Sequence, residues 1–290
     1  MRRWAVSGLL GCLAAGLAGC ATGSDAAVPA PPAPAPAVAV APPAAAVPLR
    51  VLQMNLCNSG IAGCYTGRST AEAVGVIRSE VPDLVTLNEV CEDDVPVLER
   101  ALAGVVPGGT AVSAFQPHRD GRTGAPYRCR NGRLYGLGVV SRRPVVPGSA
   151  GDRGVYPAQD PDDPEQRAWL CLDVAATDEG ATPALTVCTT HLAYTKREVA
   201  RAQCGHLFGT VVAGLRAREG AAPVVVGGDL NLGSGADPDL KACLPAGSAL
   251  VDDGEAQHVV GTPELTVDGF RTIGMRETDH PGLLVTLTLG

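Results

Sequence analysis

Five short stretches between residues 51 and 285 share one design, an apolar, strand-like run that ends in carboxylate, amide or imidazole side chains. They are Val51-Leu52-Gln53-Met54-Asn55, Leu84-Val85-Thr86-Leu87-Asn88-Glu89-Val90, Thr190-His191-Leu192, Gly227-Gly228-Asp229-Leu230-Asn231 and Thr278-Asp279-His280-Pro281. Alternate residues of an extended segment face the same way, so Asp229 and Asn231 can reach one phosphate or one water together. Folded together, the five pieces build an acid-rich site with two histidines at strand ends.

The first residues read as an address. Met1-Arg2-Arg3 is positive, Trp4 to Gly16 is apolar but short for a membrane span, and Leu17-Ala18-Gly19-Cys20 has the form of a bacterial lipobox. The expectation is a lipoprotein signal over residues 1–19, lipidation of Cys20, and attachment to a membrane by acyl chains. Residues 20–48 are mostly Ala, Pro and Val and cannot bury a core, so they read as a linker that holds the domain off the membrane. Residues 49–290 have the size of one large α/β domain.

The formal net charge of -7 supplies no general attraction to nucleic acid, but it does not exclude a nuclease, because a bound divalent cation brings local positive charge. An aromatic content of 3% argues against extensive base stacking. Eight cysteines remain in the domain: Cys57, Cys64, Cys91, Cys129, Cys171, Cys188, Cys204 and Cys243. An even number in an exported domain points to four disulfides, although eight cysteines allow 105 pairings. The pairing expected is Cys57–Cys64, Cys91–Cys129, Cys171–Cys188 and Cys204–Cys243. A zinc site is the alternative, and the absence of any CxxC pair weighs against it.

Strands are expected at 49–56, 84–88, 135–141, 169–175, 185–190, 224–227 and 283–289. Helices are expected at 69–81, opened by a Ser69/Glu72 capping box, at 93–102, opened by acids, and at 196–218. Residues 104–132 and 142–167 read as long loops. This mixture suggests two packed sheets with helices outside rather than a regular βαβ repeat.

In order and spacing, the five pieces resemble the endonuclease/exonuclease/phosphatase superfamily, the deoxyribonuclease-I-like fold, over nearly all of the chain after residue 48. The resemblance implies a four-layer α/β sandwich of two mixed β-sheets flanked by helices. It implies Glu89 as principal metal ligand, with Asn55 and Asp279 near the metal and Mg²⁺, or Mn²⁺ or Ca²⁺, as the cofactor. Asn55, Asn231 and His191 would bind the phosphate. Asp229 and Asn231 would orient the attacking water, His280 would be its general base, and His191 would assist the leaving side. A carboxylate at the end of an apolar strand and a histidine titrating near neutrality suit those tasks.

Three departures stand out. Asn88 replaces the family's usual glutamine. Gln257, in Ala256-Gln257-His258-Val259-Val260, occupies the place of the aspartate that orients the last histidine; Asp252, Asp253 and Asp268 are candidates to replace it in space. Tyr135 to Ser141 lacks an asparagine common in the family. No acid can be assigned as the partner of His191, and His118, His206 and His258 belong to no motif. The reading is an exported, membrane-tethered, monomeric, metal-dependent phosphodiesterase, with nucleic acid the first substrate class. A phospholipid, sphingomyelin or inositol-phosphate head-group hydrolase is the alternative, and a non-catalytic surface-binding protein on the same fold is a second.

Overall fold

In the computed structural model, the residues described are 48–146, 149, 151–175, 184–218, 222–235 and 237–289. The expected signal peptide at 1–19, the expected lipidation of Cys20 and the expected linker up to residue 47 lie outside them.

Among the described residues, twelve strands form two six-stranded sheets. The strands are β1 (Pro48–Asn55), β2 (Leu84–Cys91), β3 (Val112–Pro117), β4 (Tyr135–Ser141), β5 (Asp152–Val155), β6 (Ala168–Ala175), β7 (Ala184–His191), β8 (Val224–Asp229), β9 (Ala249–Asp252), β10 (Gln257–Gly261), β11 (Leu265–Ile273) and β12 (Gly282–Leu289). One sheet runs β11-β12-β1-β2-β4-β3 and the other β5-β6-β7-β8-β10-β9. Helices α1 (Ser69–Glu80) and α2 (Val95–Ala103) follow β1 and β2, and α3 (Arg197–His206) follows β7.

Strand periodicity sorts the side chains into layers. In β1, Leu49 and Val51 point between the sheets, where they meet Leu185, Val187, Val225 and Val259 of the second sheet. Leu52, Met54 and Leu56 point the other way, into a core shared with Ile77 of α1 and Leu98 of α2. Beyond the second sheet, Val224, Val226 and Cys188 pack against Ala200 and Cys204 of α3. The result is helix, sheet, sheet, helix, the four-layer sandwich.

The inner face changes character along its length. β1 and β2 are parallel, as are β7 and β8, with Asn55 opposite Asn88 and His191 opposite Asp229. The same alternation that buries Leu49 and Val51 therefore carries Gln53, Asn55, Thr86, Asn88, Thr189, His191, Asp229 and Gln257 to one end of the sandwich. The sheets approach closely there: a Cβ on Gly227 would lie 2.1 Å from Thr86 Oγ1, so only glycine fits.

Four disulfides staple the fold, Cys57–Cys64, Cys91–Cys129, Cys171–Cys188 and Cys204–Cys243. Cys171 and Cys188 are cross-strand neighbours of β6 and β7.

Several local readings need correction. The Ser69/Glu72 capping box does not form: the Ser69 hydroxyl donates to Asn58 Oδ1, and the Glu72 carboxylate accepts from the backbone N–H groups of Arg276 and Glu277. Tertiary partners outbid the local cap. The long helix expected at 196–218 starts at Arg197 and passes through a π-helical stretch, Leu207–Val212, before a last turn at Ala213–Arg216. The two expected loops contain β3 and β5, which lie at sheet edges where alternation is weak. β9 and the largely exposed β11 also give little apolar signal.

Candidate active site

Asn55 ends β1, Glu89 lies near the end of the neighbouring β2, and Asp229 ends β8 of the second sheet. Asn55 Nδ2 donates to Glu89 Oε1 at 2.9 Å and to Asp229 Oδ2 at 3.1 Å, tying the sheets together at this point. Its amide oxygen accepts from the Cys57 N–H at 3.1 Å. Asn55 is thus a buried clamp between two carboxylates, with its oxygen turned away from them.

Glu89 reaches the cavity because β2 is irregular there. The pairing with β4 shifts between Leu87 and Val90, and Glu89 has φ 55°, a left-handed conformation uncommon outside glycine. Asn231 has φ 50°, which an asparagine tolerates more readily. Its side-chain amide donates to the Leu192 carbonyl at 3.0 Å.

Asn88, one residue before Glu89, faces inward. Its Oδ1 accepts from Gln53 Nε2 at 2.7 Å and from the Asp229 N–H at 2.8 Å, and its Nδ2 donates to the Thr190 carbonyl at 2.9 Å. An amide in this place satisfies three buried groups of both sheets. Gln257 belongs to the same network: Nε2 donates to Asp229 Oδ2 at 2.9 Å and Oε1 accepts from Gln53 Nε2 at 2.9 Å. Gln257 therefore supports Asp229, its cross-strand neighbour, rather than the last histidine.

The acid facing His280 is Asp229, with Nε2 to Oδ2 at 3.6 Å; Asp279 Oδ1 lies at 3.7 Å. None of the three replacement aspartates has a hydrogen bond to it. Asp252 accepts from Ser234, Asp253 from the Gln257 backbone and Asp268 from Thr288. The Asp279 side chain is 52% exposed and that of His280 21%.

These residues border a cavity of about 530 Å³ lined by Glu89, His191, Asp229, Asn231, Asp279 and His280. Its other wall, made by Asp163, Glu165, Arg167, Tyr127, Tyr135 and Tyr194, comes mainly from the two stretches read as loops. Arg167 is 1% exposed and pairs with Asp163 Oδ2 at 2.7 Å and Glu165 Oε1 at 3.3 Å. Glu165 also meets His118 Nδ1 at 2.6 Å and accepts from the Tyr135 hydroxyl at 3.3 Å. His118, which matched no motif, braces this wall.

Charge is distributed unevenly. Burial first, then the negative charges of Glu165 and Asp229, raise the Glu89 carboxyl to about 7. Burial also raises Asp229, against the opposing effects of His280, Asn55 and Gln257. Burial alone would raise Glu165, but Arg167 and His118 outweigh it and hold this carboxyl far below the usual range. Burial and then Arg167 push His191 well below its ordinary value, with Glu165 acting in the other direction. Glu165 is thus the acid electrostatically coupled to His191 that the motifs did not reveal.

Among the described residues, two clusters place three potential ligand atoms within 4.8 Å, Cys57–Cys64–Asp279 and Cys91–Asp93–Asp94. Each depends on cysteines engaged in disulfides and offers no thiolate. Around Glu89 the observations do suit a hard cation. Asp229 Oδ1 is buried without a hydrogen-bond partner, and carboxylates raise one another's proton affinity.

The two sheets thus bring their polar strand ends to one cavity. The model of the endonuclease/exonuclease/phosphatase family matches residues 55–280, and the chain belongs to this family. Its members are phosphoester hydrolases that generally use divalent metal ions. An endonuclease/exonuclease/phosphatase protein from Beutenbergia cavernae is 21% identical, with TM-score 0.60 and coverage of 84% of this chain and 72% of that one. ANGEL2, a 2′,3′-cyclic phosphatase, is 14% identical, with TM-score 0.59 and coverage of 84% and 96%. A mannosyl-6-phosphatase of Bacteroides thetaiotaomicron is 13% identical, with TM-score 0.57 and coverage of 82% and 99%. No curated protein matches the chain.

Proposed function

We propose that this protein is an exported, lipid-anchored, monomeric phosphodiesterase that depends on Mg²⁺ or a related divalent ion. The observation that carries the reading is the convergence of Glu89, His191, Asp229, Asn231 and His280 on one cavity from both sheets. The 2′,3′-cyclic phosphatase among its structural neighbours favours a nucleotide-type diester. Four disulfides favour export, and the Leu17-Ala18-Gly19-Cys20 piece favours a lipid anchor.

Glu89 and Asp279 would hold the cation, which when bound would polarise a phosphoryl oxygen and offset developing charge. Asn55 keeps Glu89 and Asp229 at a fixed spacing by donating to both. Asn231 contacts the phosphate. His280 takes the proton of the attacking water, and Asp229 stabilises the imidazolium that forms 3.6 Å away. His191, held neutral, has one N–H to donate to the phosphate or the departing oxygen.

The test is hydrolysis of bis(p-nitrophenyl) phosphate by the full-length protein with Mg²⁺ and with chelator, beside Glu89→Gln and His280→Ala. Turnover should require the metal and fall at least ~100-fold in each variant. Undiminished turnover in either variant, or in chelator, refutes the assignment.

A further inference from the structure

Tyrosine is scarce, with five residues in 290, yet Tyr127, Tyr135 and Tyr194 line the same cavity. Tyr135 is buried and bonded to Glu165, and Tyr127 packs on it with ring centroids 5.4 Å apart. Tyr194 differs: it is 62% exposed, and its ring lies 5.6 Å from Arg167 Cζ. Ile61, another lining residue, is 59% exposed. Exposed apolar surface bordering a polar cavity suggests a ligand that covers it.

Both groups are held in place. The loop bearing Ile61 is closed by Cys57–Cys64 and anchored by the Arg130 N–H donating to the Ser59 carbonyl at 2.8 Å. Next to Tyr194, Thr195 donates to Asp160, and Lys196 Nζ pairs with the same carboxylate at 2.7 Å. Such anchoring reduces the entropy lost when a ligand packs against either residue.

The charges around the cavity limit what that ligand is. Five carboxylates line it: Glu89, Asp163, Glu165, Asp229 and Asp279. Among the described residues Arg167 is the only arginine or lysine that does so. A nucleic-acid strand needs a row of cations along its backbone, whereas here a second or third phosphate would meet carboxylates.

We propose that Tyr194, together with Ile61, determines specificity by receiving the planar aromatic base of a nucleotide, whose ribose carries a single phosphate. The inference rests on the phosphodiesterase reading of the same cavity. The base stacks on the Tyr194 face, and the phosphate lies toward Arg167 and the strand ends. Duplex DNA is excluded as the preferred substrate.

The experiment is calorimetric titration of the full-length protein, with Mg²⁺, by adenosine 5′-monophosphate and by ribose 5-phosphate. The nucleotide should bind about tenfold more tightly, within what one base–aromatic stack supplies. Tyr194→Ala should abolish that ratio and Tyr194→Trp should keep it. The ribose 5-phosphate affinity reports separately on any disturbance of Arg167. Equal affinities for the two ligands, or a ratio that survives Tyr194→Ala, overturn the proposal. So does competition against the nucleotide by duplex DNA or by monomeric dihexanoyl phosphatidylcholine at least as effective as that by the nucleotide itself. Turnover of bis(p-nitrophenyl) phosphate on the same samples separates the two readings. Turnover without the affinity ratio refutes this inference alone; the ratio without turnover refutes the phosphodiesterase alone.

Discussion

Glu89 is a carboxyl that folding makes harder to ionise, so replacing it by glutamine should make the metal-free protein more stable in alkaline solution. The shift runs from an ordinary 4.5 to about 7 and arises from burial and from the charges of Glu165 and Asp229. With its pKa raised, Glu89 holds its proton more tightly in the folded than in the unfolded state. The stability it contributes is therefore complete below pH 4.5 and is lost as the pH rises through 7. At pH 8 the ionised group costs about 3 kcal/mol, since each tenfold change in proton affinity is worth about 1.4 kcal/mol. Glu89→Gln removes that cost. For a domain of this size the variant should melt ~5–10 °C higher than wild type at pH 8 in chelator, with the gap closing toward pH 4.5. Added Mg²⁺ should then raise the wild-type melting temperature and leave that of the variant unchanged. The assay is differential scanning calorimetry across pH 4.5–8 with disulfides intact. A gap between the two proteins that does not vary with pH would refute the electrostatic account. A Mg²⁺ response retained in the variant would refute Glu89 as the ligand.

Three further outcomes follow from the packing. Gly227→Ala forces a methyl to within 2.1 Å of Thr86 Oγ1 and should cost about 1–3 kcal/mol in urea unfolding, largely recovered in the double variant with Thr86→Ala. Gln257→Leu leaves Asp229 Oδ2 and Gln53 Nε2 each short of a partner and should destabilise by ~2–4 kcal/mol, whereas Gln257→Glu, which returns a carboxylate beside Asp229, should lower the turnover of bis(p-nitrophenyl) phosphate rather than raise it. Removing Cys204–Cys243, which spans 39 residues, should cost about 4 kcal/mol, against about 2.5 kcal/mol for Cys57–Cys64, which spans 7; equal losses in calorimetry would refute a chain-entropy origin.

Much of the site was legible because strand chemistry is local. Alternation within Leu49 to Asn55 and within Leu84 to Asn88 already assigns Gln53, Asn55, Thr86 and Asn88 to the face shared with Leu49, Val51 and Leu84. An apolar run ending in Asn or Glu marks a sheet rim without reference to any other part of the chain. The motif Gly227-Gly228-Asp229-Leu230-Asn231 is likewise a property of five consecutive residues. Family membership, the sandwich class and the positions of the principal strands follow from these pieces.

Other features depend on residues far apart in sequence. Ser69 and Glu72 have the spacing of a capping box, but Asn58 and the backbone at 276–277 compete for the same atoms and win. Gln257 looks like a substitute for a histidine's acid until pairing of β10 with β8 places it across from Asp229. Glu165, Arg167 and His118 lie in or beside segments without periodicity. Their roles arise only when two connections between strands fold against the open end of the sandwich. The sequence alone determined which side chains end at a sheet rim, since that depends on a two-residue repeat. Tertiary structure decided which charges share a cavity and how strongly each holds its proton, because burial and Coulomb interactions act through space and are invisible to neighbours in the chain.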